Sequence, residues 1–123
     1  MIVGSGVDIT EVARIAALLR HPTRGPRFRT RVFRSEEIAY CESRPNAAQS
    51  YAARFAAKEA TMKALGLFVP WCDVEVVRGI HGIPGLRLHG RAAQRADELG
   101  VRRWLLSLSH TADIALAWVI AEA

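Results

Sequence analysis

The stretch "RFAAKEATMKALG" (Arg54–Gly66) holds the only two lysines of a 123-residue chain and ends at a glycine. Its alanines, its apolar residues at helical spacing and the closing glycine predict the last turns of an α-helix. At about 100° per residue, one stripe of this helix begins with Ala52 and Ala56 and ends with Glu59 and Lys63. The small side chains permit a close approach, and the stripe then ends in a carboxylate and an ammonium one turn apart.

Two interpretations of Glu59 and Lys63 stay open. A Glu–Lys pair on a solvated helix face stabilises a helix by roughly 0.2–0.5 kcal/mol and needs no function. Alternatively, "GSGVDI" (Gly4–Ile9) places Asp8 at a predicted strand end, where it could hold Mg²⁺ together with Glu59. Lys63 beside such a cation would suit a phosphate group. Asp8 could equally serve only as a cap for the helix that follows.

The pattern along the chain predicts an α+β protein that forms a single domain over residues 1–123. Thr10 is the predicted N-cap of the first helix, and residues 21–34 are predicted to be an irregular basic connector. The predicted helices cover 10–20, 35–44, 46–65 and 90–100, and the predicted strands cover 2–9, 73–77, 86–89, 102–109 and 113–122.

Composition limits the class of protein. A net charge of +5 and a pI near 10 favour an anionic partner, although a generally basic surface is the alternative. No nucleic-acid-binding motif is visible, so no nucleic-acid partner is predicted. Cys41 and Cys72 lack metal-ligand spacing and are predicted to be free thiols. No stretch has the features of a signal peptide or a membrane span, so we predict a cytoplasmic protein without membrane contact.

The stretch "SLSHTA" (Ser107–Ala112) places a serine beside a histidine but does not predict a hydrolase. A G-x-S-x-G turn is absent. Neighbouring side chains of a strand point to opposite faces, so Ser109 cannot readily hydrogen-bond His110. A turn that carries His110, Thr111 and backbone N–H groups is better suited to binding a phosphate.

Three blocks carry a family resemblance: "GSGVDITEVARI" (Gly4–Ile15), "RFAAKEATMKALG" (Arg54–Gly66) and "SLSHTADIALAWVIAE" (Ser107–Glu122). In these blocks the chain resembles the holo-[acyl-carrier-protein] synthases, the small bacterial 4′-phosphopantetheinyl transferases. The resemblance implies the α+β fold of that family, with helices packed on an antiparallel sheet and the sheets meeting at the centre of a homotrimer.

The same resemblance implies an activity. Enzymes of this family transfer 4′-phosphopantetheine from coenzyme A to a serine of apo-acyl carrier protein and release adenosine 3′,5′-bisphosphate, with Mg²⁺ as cofactor. The expected context is fatty acid or polyketide biosynthesis. The alternative is a non-catalytic coenzyme A or nucleotide-binding module of the same fold.

The resemblance also assigns roles to residues. Asp8 and Glu59 would hold Mg²⁺, and Lys63 would contact the phosphate chain as the third catalytic residue. Lys58 lies off the Glu59 stripe and is either a phosphate contact or an exposed side chain. The implied contacts with coenzyme A are Arg54, Lys58, Lys63, Gly82, Pro84, Ser109, His110 and Thr111. The implied contacts with the acidic carrier protein are Arg14, Arg20, Arg24, Arg27, Phe28 and Arg31.

Overall fold

The computed structural model describes residues 1–123, which form α-helices, β-strands and two short 3₁₀ turns. Its α-helices are α1 (Val12–Arg20), α2 (Arg24–Val32), α3 (Ser35–Ser43), α4 (Ala47–Leu65) and α5 (Gly90–Leu99). Its strands are β1 (Ile2–Glu11), β2 (Val74–Arg78), β3 (Pro84–Leu88), β4 (Arg103–His110) and β5 (Ile114–Glu122). All pairings are antiparallel, in a sheet of order β1-β5-β4 and a β2–β3 hairpin. The predicted α+β class is confirmed.

Helix α4 lies at the centre of the fold. Thirteen of its 19 residues are buried, which means that neighbouring elements cover it on nearly every side. The Asn46 side chain caps its start by accepting a 3.2 Å hydrogen bond from the backbone N–H of Gln49. Gly66 ends it in the left-handed conformation, with φ of 67°, which glycine adopts at little cost. The predicted long helix and its closing glycine are confirmed.

Strand β1 lies against α4 through two glycines. A Cβ atom on Gly6 would lie 1.9 Å from the backbone carbonyl oxygen of Ala60, and one on Gly4 would lie 2.3 Å from that of Ala64. Neither glycine can carry a side chain unless the strand and the helix move apart. Asp8 lies two residues beyond Gly6 and therefore on the same face of the strand, towards α4. The glycines thus set the distance at which Asp8 meets the helix.

The start of α1 differs from the prediction. Thr10 is not an N-cap, because β1 continues to Glu11 and α1 begins only at Val12. Thr10 is buried and pairs with Ala115 of β5. Sheet pairing with a strand more than 100 residues away has therefore overridden the local capping preference of the threonine.

The connector predicted over residues 21–34 is also wrong, because α2 occupies most of that range. Pro26 lies in the first turn of this helix, where the missing N–H of proline is tolerated. Gly25 packs so close to α1 that a Cβ atom would lie 2.5 Å from the carbonyl oxygen of Leu19. The residues that indicate a loop in the sequence here begin a helix and allow it to contact its neighbour.

The sheet has one buried and one exposed face. Side chains of β5 alternate, and its inward residues are all fully buried: Ala115, Ala117, Val119 and Ala121. The opposite face, which we call the exposed sheet face, includes the half-exposed apolar residues Val7, Ile9, Leu105 and Trp118. Apolar side chains grouped in this way on a surface commonly mark an interface.

Both cysteines are free thiols, as predicted. Cys41 is buried, and its burial raises its pKa to about 12, so its thiol stays protonated at neutral pH.

Among the helices of the protein, none combines the length and the hydropathy that a membrane crossing requires.

Candidate active site

Asp8 of β1 meets Glu59 and Lys63 of α4 at one position. The Nζ atom of Lys63 lies 2.9 Å from Asp8 Oδ1 and donates a second hydrogen bond of 2.9 Å to the backbone carbonyl of Val7. The Asp8 side chain is only 13% exposed, whereas that of Lys63 is 56% exposed. The lysine therefore joins the strand to the helix and still presents its ammonium group to solvent.

The two carboxylates of this site repel each other. Burial raises the pKa of Glu59, the negative charge of Asp8 raises it further, and the charges of Arg14 and Lys63 oppose the shift. A cation between two such carboxylates would relieve the repulsion. The donor set fits Mg²⁺, which takes one or two carboxylates and completes its shell with water and phosphate oxygens. The chain has no group of three or more His, Cys, Asp or Glu side chains placed to hold a metal.

An apolar cavity of about 400 Å³ adjoins Glu59 and Lys63. Its remaining walls come from the end of α4 and the segment that follows it, with the side chains of Met62, Leu67, Phe68 and Trp71. Glu59 and Lys63 therefore lie at the border of an apolar surface.

A second cavity, which we call the basic cavity, lies on another side of α4 and has a volume of about 450 Å³. Its walls come from α3, α4, the β2–β3 hairpin and β4, and no acidic residue lines it. The basic side chains in its walls are Arg44, Arg54, Arg78 and His110. This composition suits an anionic ligand.

Arg54 is the most buried of these basic residues. It is 6% exposed, and its Nε atom is buried without a hydrogen-bond partner. A buried donor that lacks a partner is costly, and a functional role or a bound water or ion can account for it.

The structure separates the residues predicted to contact coenzyme A. Arg54, Gly82, Pro84 and His110 line the basic cavity together. Ser109 does not line it, because its side chain lies on the exposed sheet face. Ser109 also forms no hydrogen bond with His110.

Thr111 also lies outside the basic cavity. Its Oγ1 atom accepts hydrogen bonds of 3.1 Å from the backbone N–H groups of Asp113 and Ile114. In the single chain, this side chain therefore closes the turn between β4 and β5.

The structure contradicts both predictions for Lys58. Lys58 is fully buried, and its Nζ atom donates hydrogen bonds to Glu37 Oε1 at 2.9 Å, to the carbonyl of Trp71 at 3.2 Å and to the carbonyl of Val74. Burial lowers the pKa of Lys58, and the charge of Glu37 opposes this shift. The lysine is neither a phosphate contact nor an exposed side chain, because all its donors are used to join α4 to α3 and β2.

The residues predicted to contact the carrier protein differ in their exposure. Its arginines on α1 and α2 are all exposed: Arg14, Arg20, Arg24, Arg27 and Arg31. Phe28 instead turns towards the core, with its ring centroid 5.5 Å from that of Phe33 and 5.6 Å from that of Phe55. Phe28 therefore contributes mainly to the packing of α2.

Among the cavity residues absent from the sequence prediction are one aromatic and two basic side chains: Tyr40, Arg44 and Arg78. Tyr40 and Arg44 lie at the end of α3, and Arg78 ends β2. The one available signal was the position of Arg78 just before the glycine-containing turn that holds Gly82 and Pro84.

Known proteins resemble this chain over its whole length. The family model for the 4′-phosphopantetheinyl transferase superfamily matches residues 4–121. A holo-[acyl-carrier-protein] synthase of Koribacter versatilis is 50% identical over 99% of this chain and 99% of that protein. The solved structure of the same enzyme from Neisseria meningitidis matches with a TM-score of 0.88 and 32% identity over all of both chains. A holo-(acyl-carrier-protein) synthase from Bacillus anthracis, in complex with CoA (3′,5′-ADP), matches with a TM-score of 0.80 and 31% identity over 100% of this chain and 98% of that one.

The chain therefore belongs to the 4′-phosphopantetheinyl transferase superfamily. Within that superfamily its relatives are holo-[acyl-carrier-protein] synthases, which are transferase enzymes. The family predicted from the three sequence blocks is confirmed.

Replacing Glu59 with glutamine (Glu59→Gln) should stabilise the metal-free protein at neutral pH. The pKa of Glu59 is raised above its ordinary 4.5 in the folded state, so the folded protein binds the proton more tightly than the unfolded chain does. The wild type therefore loses stability as the pH rises through the pKa of Glu59, and the variant, which has no carboxyl group at this position, does not. In EDTA, the melting temperature of the variant should exceed that of the wild type at about pH 8, and the difference should shrink towards about pH 4.

Glu98→Gln is the matched control, because hydrogen bonds from Arg95 and Arg91 lower the pKa of Glu98. This second replacement should not stabilise the protein at any pH. A Glu59→Gln variant that is less stable than the wild type at about pH 8 would contradict the repulsion between Glu59 and Asp8.

Proposed function

We propose that this protein transfers the 4′-phosphopantetheine group of coenzyme A to a serine of apo-acyl carrier protein. The proposed location is the cytoplasm, because the free thiols of Cys41 and Cys72 suit a reducing environment. The serine hydroxyl loses its proton to solvent, its oxygen forms a bond to the phosphorus that carries pantetheine, and the bond between that phosphorus and the bridging oxygen breaks. Adenosine 3′,5′-bisphosphate leaves. The observation that carries the proposal is the meeting of Asp8, Glu59 and Lys63 in a chain that is 50% identical to a holo-[acyl-carrier-protein] synthase.

The side chains suit this chemistry. Phosphoryl transfer needs mainly positioning and charge neutralisation, and the attacking hydroxyl comes from the carrier protein. No nucleophile is therefore required of this chain, which agrees with the separation of Ser109 from His110. Asp8 and Glu59 would hold Mg²⁺, which when bound neutralises charge on the pyrophosphate of coenzyme A.

Lys63 has one donor left for the substrate. An ammonium group carries three N–H donors. Two of them bind Asp8 and the carbonyl of Val7, and the half-exposed side chain leaves the third for a phosphate oxygen. In this role Lys63 would hold the phosphate chain and stabilise negative charge as the leaving group departs.

The basic cavity would take the nucleotide end of coenzyme A. Arg54, with its unpartnered Nε atom, and His110 would bind the 3′-phosphate, and the turn at Gly82 and Pro84 would border the adenine. Ser109 and Thr111 lie outside this cavity. We retain them only as contacts with a coenzyme A molecule that a neighbouring subunit binds.

We further propose a homotrimer in which two subunits complete each active site. The exposed sheet face supplies an apolar surface for subunit contact. Arg54 and Glu59 are five residues apart and therefore point about 140° away from each other around α4. Lys63 and Glu59 face β1, whereas Arg54 faces α3 and the hairpin. A coenzyme A molecule would then be held by the nucleotide residues of one subunit and the carboxylates of the next.

The direct test is a mass-shift assay. Incubation with coenzyme A, Mg²⁺ and apo-acyl carrier protein should add one phosphopantetheine to the carrier, and EDTA should prevent this. Asp8→Ala and Glu59→Ala should each slow the transfer by at least about 100-fold, because each removes a group that organises charge in the transition state. Glu98→Ala on α5, an exposed carboxylate away from the site, is the matched control and should keep the wild-type rate.

Two outcomes would count against the proposal. A normal rate in Asp8→Ala or Glu59→Ala would remove these residues from the active site. A wild-type protein that is thermally stabilised by coenzyme A but modifies neither fatty-acid nor polyketide carriers would be the non-catalytic binding module.

The shared site is tested by mixing two inactive variants. Arg54→Ala and Glu59→Ala should regain activity when they are unfolded and refolded together, because some sites then combine an intact Arg54 with an intact Glu59 from the neighbouring subunit. Random assortment predicts about one quarter of the wild-type activity. Asp8→Ala mixed with Glu59→Ala is the control and should stay inactive, because both residues belong to the same side of a site. No recovery in the first mixture would place the whole site within one subunit.

The carrier-protein surface is tested by Arg27→Glu on α2. This reversal should raise the KM for the acidic carrier by about tenfold, because one favourable charge contact becomes repulsive, and the effect should weaken at high salt. The KM for coenzyme A should not change. Arg91→Glu on α5 is the matched charge reversal and should leave both constants unchanged. Equal losses for both substrates in Arg27→Glu would indicate damage to the fold rather than to a docking surface.

A further inference from the structure

Three arginines of the basic cavity converge on one aromatic ring, that of Tyr40. The guanidinium carbon of Arg54 lies 4.0 Å from the ring centroid, that of Arg78 lies 5.1 Å away, and that of Arg44 lies 5.7 Å away. Arg78 also donates a 3.3 Å hydrogen bond from Nη1 to the Tyr40 hydroxyl. All four residues line the cavity.

These arginines are not neutralised by carboxylates. None of the three forms a salt bridge, and no acidic residue lines the basic cavity. Three acidic residues, Glu36, Glu37 and Glu75, share a neighbouring cavity with Arg54 and Arg78. The carboxylates of Glu37 and Glu75 bind Lys58 and His89, and the exposed Glu36 forms no salt bridge. Three like charges are thus held near one another without an acidic partner.

An aromatic ring can hold a guanidinium group in a way that a carboxylate cannot. The negative face of the ring attracts the cation but does not occupy its N–H donors or cancel its charge. A carboxylate would do both, because it accepts two of the donors in a paired contact. Arginines that pack against Tyr40 therefore keep their charge and most of their donors available for an anion, since the Tyr40 hydroxyl accepts from only one donor of Arg78.

The turn of the hairpin lies close to one of these arginines on its other side. Gly82 has φ of 73°, and a Cβ atom on it would lie 2.5 Å from Nη2 of Arg78. The guanidinium group of Arg78 therefore passes close to the backbone of this turn, and a side chain at position 82 would displace it. It lies between this turn and Tyr40, whereas Arg54 reaches the same ring from α4.

We propose that Tyr40 is a positioning residue for the nucleotide end of the donor. Its ring holds Arg54 and Arg78, with Arg44 at the margin, so that their donors converge on a 3′-phosphate. Tyr40 touches none of the reacting atoms and acts through the arginines. It thereby sets the preference for coenzyme A over the same molecule without its 3′-phosphate. This inference rests on the proposed function, in which the basic cavity binds that end of coenzyme A.

The test compares coenzyme A with dephospho-coenzyme A as donors. Tyr40→Leu should lower kcat/KM for coenzyme A by about tenfold, through KM, and should change kcat/KM for dephospho-coenzyme A by less than about twofold. Tyr40→Phe keeps the ring and loses only the hydroxyl, so it should stay within about threefold of the wild type for both donors. Tyr40→Met replaces the leucine variant if thermal unfolding shows that the latter does not fold.

A binding measurement separates this inference from the proposed function. Calorimetry with adenosine 3′,5′-bisphosphate and with AMP requires no transfer, and the ratio of the two affinities should fall by about tenfold in Tyr40→Leu. Equal losses for both ligands would show a merely structural role for Tyr40 and overturn the inference. No loss for either, or a loss in Tyr40→Phe as large as in Tyr40→Leu, would overturn it as well. A wild-type protein that shows the expected affinity ratio but transfers nothing would instead refute the proposed function alone.

Discussion

The backbone contact between β1 and α4 is the constraint on which the candidate active site depends. Gly4 and Gly6 bring the strand so close to the carbonyl oxygens of the helix that no side chain fits between them. Because side chains alternate along the strand, the next residue on that face is Asp8, which meets Lys63 at 2.9 Å. The packing of β1 on α4 therefore sets the distance between Asp8 and Lys63, which the proposed transfer reaction requires to be close together.

Helix α4 serves two cavities at once, and a buried ion pair keeps it in place between them. Lys58 and Glu37 satisfy each other and bind backbone groups of the segment that leads into the hairpin. Breaking a buried pair of this kind by removing one partner typically costs about 3–5 kcal/mol, because a charge is left buried without compensation. The pair thus holds α4 against α3 and β2 from within the interior, because neither Lys58 nor Glu37 lines either of these two cavities.

The sequence was informative where spacing along one element decides the outcome. The long helix and its closing glycine followed from local patterns, and the family followed from three sequence blocks. Spacing alone left Asp8 open between a helix cap and a partner of Glu59, and the family resemblance favoured the second role. The missed features depend on residues far apart in the chain. Lys58 is buried because Glu37, 21 residues earlier, is its partner. Thr10 joins a strand because Ala115 pairs with it, and Tyr40 gains its role only when the hairpin brings Arg78 to it.

The burial of Lys58 has a chemical consequence. The chain has two lysines among 17 basic residues, and arginine does not react with ordinary acylating reagents. With Lys58 enclosed, Lys63 is the only side-chain amine of these residues that such reagents can reach. Amine-directed labelling of side chains would therefore fall at the candidate active site, and protection of Lys63 by a bound anion would report the occupancy of that site without any assay of turnover.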